Sequence, residues 1–148
     1  MIVSNQLFFE DVTIGDEIPS LIREIDLVKN VMYAAATWDF HRHHYDKEFA
    51  DKKGFPGTFV DGQEFGSFLV QLVTHWTGVG GVLRELDLNY RVMAFPGDIL
   101  TCKGRVAEKH TNGEENLVRC ELWIENQRDE KVVEPAHAVL ALPSRSNK

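Results

Sequence analysis

The chain has 148 residues, within the span of one domain, so a two-domain enzyme with its own nucleotide-binding half is not expected. Hydrophobic residues make up 43% and charged residues 26%, a globular composition too apolar for a disordered chain. The formal net charge of −7 at pH 7 argues against a protein that coats nucleic-acid phosphates. The start, MIVSNQLFFE, has neither the basic residues nor the apolar stretch of a secretion leader, and no segment approaches the roughly 20 apolar residues that span a bilayer. A cytoplasmic protein without a membrane partner is expected. Cys102 and Cys120 stand in strand-like stretches without metal-ligand spacing and read as buried free thiols. No linker or repeat divides the sequence, so residues 1–148 are expected to form one domain, with Ser144 to Lys148 as a loose tail.

In chain order, Leu7 to Ile25 reads as extended pieces around a turn at Gly15-Asp16, with Pro19 excluding a helix interior. Asp26 is placed to cap a helix. Leu27, Val31, Ala34, Ala35 and Trp38 then recur at helical spacing as one apolar stripe ending near Asp39. From His41 to Gly57 the periodicity disappears among histidines, charges and the breakers Gly54, Pro56 and Gly57, which predicts a loop with a short helical turn at Lys47 to Asp51. The strongest helix follows, from Gly62 to about Thr77, with Phe65, Phe68, Leu69, Leu72, Val73 and Trp76 on one stripe and Gly78 to stop it.

The second half alternates instead. Val82, Leu86, Leu88, Tyr90 and Val92 share one parity, as do Leu100, Cys102 and Val106, and again Val118, Cys120, Leu122 and Ile124. Turns at Pro96-Gly97-Asp98 and Asn112-Gly113 separate these strands, and a last strand runs through Val132 to Leu142. The pattern predicts an α+β chain in which an antiparallel sheet wraps one long central helix, the hotdog fold.

Chemistry concentrates in Asp39-Phe40-His41-Arg42-His43-His44-Tyr45-Asp46, which holds three of the six histidines. A carboxylate and an imidazole five residues apart across a helix end can share one pocket and one water, as acid/base chemistry requires. His41 and His43 with Asp39 and Asp46 are weighed as a metal set, but no recognised ligand spacing supports it and no metal is expected. His75 and His137 read as polar positions satisfied by local hydrogen bonds, and His110 as solvated. Without a phosphate loop or dinucleotide fingerprint, no cofactor is expected. Lys52 and Lys53 are weighed as contacts for substrate phosphates and read as a solvated pair.

The same segment resembles the MaoC-like dehydratase and (R)-specific enoyl-CoA hydratase family, whose motif runs Asp-x-Asn-Pro-aliphatic-His. Asp39 and His44 stand at the matching spacing, followed by Lys47-Glu48-Phe49-Ala50, Gly54-Phe55 and Val60-Asp61-Gly62. The similarity continues in Phe9-Glu10-Asp11, Gly15-Asp16, Phe95-Pro96-Gly97-Asp98 and Glu125-Asn126-Gln127. His41 replaces the family's Asn, Arg42-His43 replace its Pro-aliphatic pair, and Asp61 replaces the His that commonly precedes the helix glycine. The resemblance implies that Asp39 and His44 hold one water and exchange protons with the α-carbon and β-oxygen of an acyl thioester. The reaction implied is hydration of a trans-2-enoyl thioester, or dehydration of its (R)-3-hydroxyacyl counterpart, carried on coenzyme A or an acyl carrier protein. Gly62 is implied as the close-approach backbone donor to the thioester oxygen, at a helix N-terminus whose dipole favours an anion. Asp61 reads as that helix's N-cap and not as a catalytic acid. A homodimer is expected first, and a heteromer with a second hotdog chain is the alternative, in which this chain is an acyl-thioester-binding subunit.

Overall fold

A computed structural model describes residues 6–145; residues 1–5 and, of the expected tail, 146–148 lie outside the described residues. Strand β1 covers Glu17–Glu24, β2 Val82–Tyr90, β3 Ile99–Asn112, β4 Glu115–Asn126 and β5 Lys131–Leu142. The helices are α1 (Leu27–Thr37), α2 (Lys47–Lys52) and α3 (Gly62–Thr77), with 3-10 turns at Phe9–Asp11 and Arg42–His44. The strands form one antiparallel sheet in the order β1-β3-β4-β5-β2, so β1 and β2 are its edges. This is the expected α+β hotdog arrangement, with α3 on the inner face of the sheet.

The alternation in β3 and β4 is buried as the sequence predicts: Leu100, Cys102, Val106, Val118, Cys120, Leu122 and Ile124 all lie in the core. Both cysteines are free thiols that burial pushes up to about 12, so neither is a nucleophile near neutral pH. On α3, Phe65, Phe68, Leu69, Leu72 and Val73 join the same cluster. Gly104 in β3 is required by this packing, since a Cβ there would come within 2.5 Å of Leu122 and 3.0 Å of Ile18. Pro19 falls in edge strand β1, where the register shifts between Ile18 and Leu21 and no ladder donor is lost from a central strand.

Three expectations are corrected. The parity of β2 breaks at a register shift between Leu83 and Glu85, so Leu83, Leu86 and Leu88 pack against the core while Val82 and Tyr90 are exposed and Val92 lies beyond the strand. Helix α1 ends at Thr37 because Trp38 turns left-handed at φ 59°, and its buried face is Asn30 and Ala34; Leu27, Val31 and Trp38 of the predicted stripe are exposed. The start of the expected loose tail is held, Ser144 by the Glu10 carboxylate and Arg145 by an ion pair with Asp11 at 2.6 Å. The helical turn expected at Lys47 is α2, capped by Asp46. Among the described residues no helix is long and apolar enough to cross a membrane.

Candidate active site

The site forms where three chain reversals meet at the N-terminus of α3. The left-handed Trp38 redirects the chain out of α1 and delivers Asp39; the 3-10 turn Arg42–His44 ends on His44; Asp61 then caps α3. Although Asp39, His44 and Asp61 come from separate segments, one ligand atom of each lies within 4.8 Å of those of the other two. A single water bridges a pair at such a separation with two ordinary hydrogen bonds.

His44 is buried at 6% exposure, and its Nδ1 lies 2.9 Å from the carbonyl oxygen of Phe59. A carbonyl only accepts, so Nδ1 carries the proton and Nε2 keeps its lone pair as an acceptor. The His44 backbone is held from α1, whose buried Asn30 donates from Nδ2 to its carbonyl at 3.1 Å. Asp39 is half-buried; its Oδ1 accepts the His41 backbone N–H at 3.3 Å, and the His41 ring lies 3.9 Å away. The other two histidines are packing elements: His43 stacks on His41 at 5.2 Å and on Phe59 at 4.9 Å, with its edge toward His44 at 4.2 Å. Burial, then the neighbouring His44 and His41, lower the pKa of His43, which favours a neutral ring.

The four-residue metal set weighed from the sequence does not converge. Asp46 is taken by the α2 cap and by Arg42 at 2.6 Å, while His43 is stacked. Asp39, His44 and Asp61 converge instead, and this is the set that could hold an ion, although the N–H groups of α3 at that point favour an anion. Lys52 pairs with Glu48 at 2.5 Å and Lys53 lies over the Phe49 ring. His75 and His110 are exposed, whereas His137 keeps a buried Nδ1 without a partner, against the expectation of a satisfied position.

Asp61 is the N-cap expected of it, its Oδ1 accepting the Gln63 N–H at 2.9 Å. Its Oδ2 is buried without a partner. Gly62 opens α3, where the first N–H has no partner within the helix. A Cβ on Gly62 would meet the Tyr90 ring of β2 at 3.1 Å, so a larger residue here requires the half-exposed Tyr90 ring to give way by a few tenths of an ångström.

Sequence reasoning missed Glu64. One turn into α3, it is 6% exposed and its Oε2 is also without a partner. Burial, and next the charge of Asp61, push its carboxyl up to about 7. The order Asp61-x-x-Glu64 reads as a capping box, which would have put Glu64 at the rim. Glu64 instead lines an open groove of about 660 Å³ between β1, α1 and α3, with Ile22, Met32, Tyr33, Ala36 and Phe68 among its walls.

Residues 10–127 match the MaoC like domain, and the chain belongs to the MaoC-like dehydratase family. Among solved structures, it is 25% identical to a chain of the ChsH1-ChsH2 complex from Mycobacterium tuberculosis, covering 88% of this chain and 98% of that one with a TM-score of 0.79. It is 22% identical to the (R)-hydratase from A. caviae involved in PHA biosynthesis, over 90% and 99% of the two chains, TM-score 0.81. The R-hydratase PhaJ1 from Pseudomonas aeruginosa is 20% identical over 95% of this chain and 88% of its own, TM-score 0.86. No curated protein matches the chain.

Proposed function

We propose that this chain is a hydro-lyase that reversibly hydrates trans-2-enoyl thioesters of coenzyme A or an acyl carrier protein to (R)-3-hydroxyacyl thioesters. The observation that carries the reading is the buried His44, with Nδ1–H given to Phe59 and Nε2 free, within 4.8 Å of an Asp39 carboxylate oxygen. In hydration, Asp39 accepts one hydrogen of a shared water and His44 Nε2 takes the other proton as the oxygen adds to the β-carbon. The electron pair moves to the thioester oxygen, where the Gly62 N–H at the positive end of α3 meets the charge. The imidazolium, faced by Asp39, then returns its proton to the α-carbon. These groups suffice without a cofactor.

The test is the loss of conjugated-enoyl absorbance when the purified chain meets trans-2-enoyl-CoA esters of graded length. Asp39→Asn and His44→Ala should each lower turnover by about 10²-fold or more, and the double variant should be little worse than the worse single, because both groups serve one proton transfer. Unchanged turnover in either single variant overturns the assignment.

We place the working unit as a homodimer joined at the free edge of β2, where Val82 is 45% and Tyr90 55% exposed beside Gly62. The heteromer stands as the second reading because the 25%-identical neighbour comes from a complex of two proteins. Light scattering across a dilution series, with activity in parallel, distinguishes them. A fully active single chain at every concentration rejects both, and inactivity rescued by a second hotdog chain selects the heteromer.

A further inference from the structure

Glu64 is expensive where it stands. A carboxyl at 6% exposure with an unpartnered oxygen, facing apolar walls and one helical turn from a second acid, lowers the stability of a fold that leucine would serve better. Such a group needs an account, and the surrounding geometry supplies one.

Helix α1 separates two spaces. Its Asn30 side holds the backbone of His44, while Met32, Tyr33 and Ala36 face the groove. Asp61 links them, lying within 4.8 Å of the dyad atoms on one side and acting by its charge on Glu64 and Tyr33 on the other. Asp61 and Glu64 stand one turn apart at the start of α3, so the groove that Glu64 lines and the dyad share the same end of that helix. Its volume of about 660 Å³ falls in the range of sites that bury a sizeable small molecule, roughly 300–1,000 Å³. Most of its walls are hydrocarbon or aromatic. Its acidic and hydroxyl-bearing side chains are the buried Glu64, the exposed Glu24, and Tyr33, whose hydroxyl has only a long contact, 3.4 Å, with Ser67 Oγ. Arg23 and Lys29 also line it, but Arg23 is engaged by Gln71 and lies over the Phe68 ring, and Lys29 pairs with Asp26 at 3.1 Å.

We infer that this groove seats the acyl group of the thioester and that Glu64 is a specificity residue, recognising a hydroxyl or keto oxygen carried on that acyl group away from the thioester. The inference deepens the hydro-lyase reading and takes from it the acyl-thioester substrate. A hydroxyl suits Glu64 in either protonation state, since it accepts from the acid and donates to the carboxylate, and a keto oxygen suits the acid. A plain hydrocarbon chain in the same place would seal Glu64 off from water and leave it unpaired, which is how a site built around a hydrogen bond rejects an analogue lacking the partner.

The experiment measures binding of saturated decanoyl-CoA, and of a series carrying one hydroxyl at successive carbons beyond the third, by titration calorimetry on the whole chain. At least one hydroxylated ester should bind the wild type about tenfold or more tighter than decanoyl-CoA. Glu64→Leu should erase that preference and tighten the plain chain, and Glu64→Gln, which can still hydrogen-bond, should keep it. The wild-type comparison stands even if a variant fails to fold. A wild type that prefers the plain chain to every hydroxylated ester overturns the proposal, and so does a preference that survives Glu64→Leu. Saturated esters cannot be hydrated, so this binding is independent of the dyad. A chain that shows the preference but hydrates none of the corresponding enoyl esters would count against the hydro-lyase reading and leave the groove assignment intact.

Discussion

The two ends of α3 obey different rules. From Phe65 to Val73 the helix buries apolar side chains in the core it shares with the sheet, where Leu69, Leu100, Val118 and Ile124 have no exposed surface. At its first turn the neighbours are Asp61, Glu64, His44 and Asp39, and two buried carboxylate oxygens have no partner. The helix is the same, yet one segment maximises packing while the other concentrates polar groups in a place that disfavours them. The difference teaches where this fold spends its stability: the sheet-facing end supplies the surplus that lets the N-terminal end stay acidic and partly unsatisfied.

Truncation at the packed end should show the largest effect on stability. Leu69→Ala should cost about 3 kcal/mol by removing a fully buried side chain from between helix and sheet. Chemical denaturation measures it, and the activity of the molecules that remain folded should be unchanged. A cost under about 1 kcal/mol would mean that α3 is not held by this packing.

At the polar end the sign reverses. Folding raises the carboxyl of Glu64 to about 7, so the folded chain holds this proton more tightly than the unfolded one. The associated stability is fully present below the unfolded value of about 4.5 and is lost as pH rises through about 7, on the order of 2 kcal/mol in all. Glu64→Leu should remove that decline and melt higher than wild type at pH 8. Equal pH profiles for the two, by thermal melting from pH 4 to 8, would show that Glu64 is not buried as described.

The smallest effect should come from Asp39→Asn. Asp39 is half-buried, and its polar contacts are the His41 N–H at 3.3 Å and the exposed His41 ring at 3.9 Å, so the variant should stay within about 0.5 kcal/mol of wild type while losing turnover. A large drop in melting temperature would make Asp39 a structural residue and blur the contrast between the two ends.

Local pattern was enough to determine much of this protein. The alternation through Leu100 to Ile124 and the long stripe from Phe65 to Trp76 each bury one face, so periodicity specifies which residues meet, and the antiparallel sheet around α3 follows. That Asp39 and His44 come close was legible from their spacing and the family motif, and the caps at Asp26 and Asp61 from residue type, whereas the Asp46 cap of α2 emerged only in the structure. Other features depend on neighbours that no window of sequence contains. The bulge in β2 moves Val82 outward through pairing with β5, and Trp38 ends α1 by a backbone turn that its residue type does not announce. Tyr90 fills the space beside Gly62 from a strand twenty-eight residues away. Glu64, which no sequence pattern singled out, is buried because β1 and α1 close over the first turn of α3, and burial at that depth is set by tertiary packing alone.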